Sequence, residues 1–240
     1  MTLLIAASLL GCGGTGGAET AQTSTPRLTS VEWVLTWDES QLEPDETEGW
    51  ATINDLGYRI EVVQGWSISY LLSLVPCETE AVTDTGMLAW LSWIVGAPAI
   101  ADHAPFSDPS LLELSAIEDI DRPRSLKLGP LAFPEQTYCS VYWLVARGDR
   151  GTEAEGTSLK LSGVWSRGEQ SGVLEIDTDF SLALIADIPS VASHKTQAQV
   201  TLTRPLARLF DGIDFAESNG YKQSWQTLSN LVEGTEITAN

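Results

Sequence analysis

Val173-Leu-Glu-Ile-Asp-Thr-Asp-Phe-Ser-Leu-Ala-Leu-Ile185 decides the fold class. Leu174, Ile176, Phe180, Leu182 and Leu184 alternate with Glu175, Asp177, Asp179 and Ser181. That period of two is the signature of strand with one face buried and one in water. The same pattern recurs outward along the chain. Val31, Trp33, Leu35 and Trp37 alternate with Glu32, Val34 and Thr36, and Leu159, Leu161, Gly163 and Trp165 form another set. Ala198, Val200 and Leu202 make a third. Tyr58 to Val75 reads as a long strand with Trp66, Ile68, Tyr70, Leu72 and Leu74 on one face and Ser67, Ser69 and Ser73 on the other. Gly65 suggests a bulge between its two halves. Leu111–Ile120 and Leu126–Leu128 add short strands. Thr137–Val145, apolar on both faces, reads as a central one.

Near the C-terminus the period changes. Tyr221, Trp225, Leu228 and Val232 recur at helical spacing between Gly220 and Gly234, an amphipathic helix that closes the fold. Eight or nine mostly antiparallel strands and one short C-terminal helix predict an antiparallel β-sandwich over residues 28–240.

The chain opens differently. The apolar run Leu3–Leu10 is far shorter than the ~20 residues a membrane-spanning helix needs. It leads into Leu9-Leu10-Gly11-Cys12, the pattern read by the bacterial lipoprotein-processing machinery. Residues 1–11 therefore read as a signal peptide, Cys12 as the lipidated first residue of the mature chain, and 12–27 as a Gly- and Thr-rich tether. No Lys or Arg precedes the apolar run, which leaves open a true start further upstream. Gly11 to Gly16 formally matches a Gly-x-Gly-x-x-Gly fingerprint, but it opens no helix and follows no strand, so it carries no dinucleotide chemistry. The expected location is extracytoplasmic, on the bacterial cell envelope and held to the membrane by lipid; inner and outer membrane are not distinguished.

Composition narrows the partners. The formal charge is −20, from 33 acidic and 13 basic residues, and there are nine tryptophans. Such a surface repels nucleic acid, whose phosphates require Lys and Arg, and gives no polybasic grip on anionic lipid. With Cys12 lipidated, Cys77 and Cys139 remain as an even pair, expected to form a disulfide in an oxidising compartment. Their rival role as thiolate metal ligands lacks a nearby His or second Cys.

Gly86–Ala101, GMLAWLSWIVGAPAIA, is the most apolar stretch of the mature chain. It reads as a buried helix or hairpin, as a loop dipping Trp90 and Trp93 into the membrane, or as a loop docking a protein partner. No nucleophile elbow, His-Glu-x-x-His helix or phosphate loop appears, so the chain reads as non-enzymatic, with a carboxylate-based hydrolase left open. Glu118, Asp119 and Asp121, the ladder Glu175, Asp177 and Asp179, and the turn carboxylates Asp211 and Asp214 are oxygen-rich groups of the kind Ca²⁺ takes. A solvated charged face is the simpler reading of each.

Leu209-Phe210-Asp211-Gly212-Ile213-Asp214, preceded by a strand and followed by a short helix, resembles the end of the MbnP-like family of bacterial periplasmic proteins. The Tyr58–Leu74 strand and the proline, turn, Tyr passage at Pro134–Trp143 are similar in placement. The resemblance implies a β-rich secreted fold associated with copper, bound through histidine and an oxidised tryptophan, and a di-haem cytochrome partner. His103, beside Asp102, and His194 are the only imidazoles on offer as copper ligands. The expected function is a lipid-anchored binding or accessory protein handling copper or another metal. The alternative is a structural or interaction module at the envelope working through residues 86–101.

Overall fold

The computed structural model describes residues 28–44, 49–77, 111–134, 137–191, 197–217 and 219–240. It is the β-sandwich that the alternation predicts. One sheet takes β1 (Leu28–Asp38), β6 (Leu126–Pro134), β11 (Gln197–Pro205) and β12 (Glu236–Ala239), in the order β12-β11-β1-β6. The larger sheet is built on β4 (Arg59–Pro76). The first half of β4 pairs with β3 (Trp50–Ile53) and β8 (Leu159–Arg167), its second half with β5 (Leu111–Asp119) and β7 (Tyr138–Val145). β2 (Glu43–Pro44) extends β3, while β9 (Gln170–Thr178) flanks β8 and β10 (Leu182–Val191) flanks β7. Among the described residues the named strands pair antiparallel, except β1 with β11, which run parallel from Ser30↔Gln197 to Asp38↔Pro205.

The opening stretch keeps its phase across a break. Leu174, Ile176 and Thr178 of β9 are buried, and Phe180, Leu182 and Leu184 pack against the same core after the chain turns at 179–181 into β10. Between the sheets lie Trp33, Leu35, Trp143, Val200, Leu202 and Phe210, each fully buried. Gly163 shows how closely β8 and β4 approach. A Cβ there would stand 1.8 Å from the Glu61 carbonyl oxygen, so only glycine fits.

β4 departs from the sequence reading. Its register slips at three places, against β8 between Val62 and Gln64, against β5 and β7 between Ser69 and Leu71, and against β7 between Val75 and Pro76. Each extra residue inverts which face the following side chains occupy. Ile60 and Val62 face the core, as do Leu72 and Leu74. Between the first two slips, Ser67 and Ser69 turn inward instead, and Ile68 packs beneath Gly148 on the other side. Trp66, Ile68 and Tyr70 therefore do not share the face of Leu72 and Leu74. Gly65 lies just past the first slip; a Cβ on it would meet Leu161 Cδ2 at 2.4 Å.

Cys77 and Cys139 form the expected disulfide, Cα–Cα 4.8 Å, where β4 and β7 part company. The helix, α1 (Gly220–Glu233), is capped by Asn219, whose side-chain oxygen accepts from the Lys222 amide. It buries Leu228, Leu231 and Val232. It is not the last element: β12 follows and pairs Val200–Thr203 of β11. No helix among the described residues is long and apolar enough to cross a membrane.

Candidate functional site

The turn 209–217 is held by side chains from two other parts of the fold. Asn54 Nδ2 donates to the carbonyls of Phe210 and Ile213, both at 3.0 Å, while its Oδ1 accepts from the amides of Leu56 and Tyr58. Asn230 of α1 grips the same turn through the carbonyls of Leu209 and Asp211. Two amide side chains thus supply the donors that the irregular backbone lacks. Aromatic packing completes the clasp. Tyr58 meets Trp165 and Phe215 edge-on, and the Arg167 guanidinium lies 4.9 Å over the Tyr58 ring.

The two turn carboxylates do different jobs. Asp214 accepts from the Tyr58 hydroxyl at 2.5 Å and from the amides of Ala216 and Glu217. Asp211 accepts from the Asp55 amide, and Asp55 in return accepts from the Gly212 amide. Their acidities move apart. The Tyr58 hydroxyl, helped by those amides, holds Asp214 below the usual carboxylate range. Burial pushes Asp211 above it. Asp214 therefore stabilises the folded chain above the pKa it has when unfolded, a contribution lost as pH falls through its lower folded value. Asp211 has the opposite sign and favours the folded chain as it protonates. Tyr58→Phe should move the Asp214 carboxyl midpoint upward, toward an ordinary aspartate, in a carbon-detected NMR titration. An unchanged midpoint would remove the hydroxyl as the cause.

Glu118, read from sequence as part of an acidic cluster with Asp119 and Asp121, is separate from both. It is buried between the sheets and takes a two-pronged bond from Arg204 of β11, Nη1–Oε1 2.5 Å and Nη2–Oε2 2.6 Å. Ser69 Oγ donates to Glu118 Oε1 at 2.6 Å and accepts from Trp143 Nε1 at 3.0 Å. Arg204 Nε reaches the Thr36 carbonyl, and the guanidinium stacks 3.8 Å over Trp37. This network ties β1 and β11 of one sheet to β4, β5 and β7 of the other. Asp119 is exposed, and Asp121 accepts from the Gly65 amide. Sequence reasoning missed Arg204, although it falls in phase with Ala198, Val200 and Leu202.

The ladder Glu175, Asp177 and Asp179 borders an open groove of about 480 Å³ between β9 and the start of α1, which Phe180, Tyr221 and Ser224 also line. Tyr221 is 70 % exposed and Trp225 43 %. Their rings stand edge-on to Phe180 at 5.2 and 5.7 Å. Ser224 Oγ donates to the Asp177 carbonyl across the groove floor.

Among the described residues, no group of three or more His, Cys, Asp or Glu side chains is placed to hold a metal ion. Cys77 and Cys139 are spent on their disulfide. Cys12, Trp90, Trp93, His103 and His194 lie outside the described residues. No family model, no curated protein and no solved structure matches the chain.

Proposed function

We propose that this chain is a lipid-anchored, extracytoplasmic binding protein of the bacterial envelope, held to the membrane through Cys12. The observation that carries the reading is the Cys77–Cys139 disulfide, which supports maturation in an oxidising compartment. The acidic surface suits a protein that attracts cations and stays soluble on its tether. Copper is the ligand favoured by the resemblance of the 209–214 turn to the MbnP-like proteins. The described residues do not fit a copper centre by themselves. Their thiols are oxidised to a disulfide, and the carboxylates of the 209–217 turn already serve backbone amides and Tyr58. The imidazoles that suit copper are His103 and His194, so the copper reading stands on them.

The test is a native intact-mass spectrum of protein extracted from cells grown with added copper. The expected species begins at Cys12, carries lipid and one disulfide, and holds copper that His103→Ala loses. A lipidated chain without metal and with unmodified tryptophans would overturn the copper reading and leave an interaction module, acting through residues 86–101, in its place. A chain that keeps residues 1–11 and carries no lipid would overturn the anchor.

A further inference from the structure

We propose that the groove between β9 and α1 is a docking site for a cationic segment of a partner polypeptide, with a lysine or arginine side chain lying against Tyr221 and Phe180. This goes beyond metal handling and uses none of the residues assigned to it.

The aromatic wall comes first. α1 already has Leu228, Leu231 and Val232 for the core, so the exposed rings of Tyr221 and Trp225 are not needed to seat the helix. With Phe180 they form three adjoining rings at one place on the surface, more than the scattered single apolar residues any protein shows. Their edge-on packing fixes them in position without a neighbour having to move.

Charge then selects the occupant. Among the described residues Glu175 and Asp177 have no ion pair and no side-chain hydrogen bond. Asp179 has only the exposed Arg147, at 3.8 Å. Lys160 stands opposite Asp177 in the β8–β9 register without closing an ion pair on it, and Lys222 does not line the groove. An aromatic wall rimmed by carboxylates complements a side chain with an apolar stem and a positive head, and the ring faces add a cation–π attraction. A second copy of this chain, at −20, would be repelled.

The backbone argues for a polypeptide over a free amine. β9 pairs only with β8 among the described residues, and the Asp177 carbonyl points away from β8 toward Ser224. The outer edge of β9 beyond that contact presents main-chain groups that an extended segment can pair with, alternate side chains reaching the groove.

The experiment measures fluorescence anisotropy of a labelled octapeptide of alternating lysine and threonine, titrated with the purified lipidated protein in detergent at physiological salt. Saturable binding is expected, weakened about tenfold by Tyr221→Ala and by the pair Asp177→Asn/Asp179→Asn, and kept by Tyr221→Phe. The charge-matched pair Glu39→Gln/Glu153→Gln, on exposed residues elsewhere, should leave it unchanged. Equal weakening by both charge pairs would reduce the effect to general attraction toward an acidic chain and overturn the site. Absence of saturable binding, with circular dichroism unchanged across the variants, would overturn it too. An alternating glutamate–threonine octapeptide that bound as well would do the same.

Discussion

Arg204→Met should lower the folding stability by about 3–5 kcal/mol, seen as a fall in the denaturant midpoint at unchanged slope. The reason is what the substitution leaves behind. Glu118 is 4 % exposed at its side chain and Arg204 is fully buried, so removing the guanidinium strands a carboxylate between two sheets with Ser69 as its remaining partner. Uncompensated buried charge is far more costly than the intact pair is stabilising. Glu118→Leu should therefore be about as harmful as Arg204→Met. The double variant should recover much of the loss, because an apolar pair strands no charge. The cycle isolates this coupling from the packing that Arg204 makes on Trp37. If both single variants stay within ~1 kcal/mol of the parent, as exposed ion pairs do, the network is not a structural clamp. If the double variant is as unstable as the sum of the singles, the stacked guanidinium and not the ion pair holds the sheets.

Opening the disulfide should cost ~4 kcal/mol in the chain-entropy model. The bridge joins residues 62 apart, and the enclosed chain supplies β5 to the larger sheet and β6 to the smaller. Without it, the unfolded chain regains the freedom of that whole loop. The folded chain loses less, because the Cys77 amide still donates to the Thr137 carbonyl and the β4–β7 ladder remains. Cys77→Ser/Cys139→Ser should show a lower thermal midpoint than the parent, with the native circular dichroism kept in the cold. Reductant should lower the parent to the level of the double variant and leave the variant alone. A parent insensitive to reductant and equal to the variant would assign the bridge no role in stability.

The elements legible in the sequence were those whose physics is local. Alternation over Val173–Ile185 and Ala198–Leu202 gave both strand and inward face, because a half-buried strand has no other way to place its apolar residues. The cysteine pair and the glycine-bounded helix were readable for similar reasons. What escaped depended on partners far along the chain. The first two register slips in β4 invert the roles of Ile68 and Ser69, and nothing within Tyr58–Val75 fixes where an extra residue is absorbed. Glu118 read as part of a solvated acidic face and Arg204 drew no reading, because the charge that neutralises each stands 86 residues away. Their position on the inward phase of β5 and β11 was the one local sign. β12, four residues long, is too short to show a period. As for the tryptophans, Trp33, Trp37, Trp50 and Trp143 fill the core, while Trp225 stays half in water. An aromatic inventory read from composition divides between packing and surface only once the strands have neighbours. In the candidate site, the Asp-Gly-Ile-Asp turn was visible, but its clamps, Asn54 and Asn230, were not.

The parallel pairing of β1 with β11 carries a consequence for how the molecule is made. Glu32 near the start of the fold receives a hydrogen bond from Gln199, 167 residues later, and β1 has β6 on its other side. The smaller sheet therefore cannot assemble until β11 is delivered to β1, whereas the β8–β9 hairpin needs only its own residues. High contact order of this kind makes for slow folding, in milliseconds to seconds. Until β11 arrives, β1 waits with Trp33 and Trp37 uncovered, and this is the interval in which the chain is most open to aggregation.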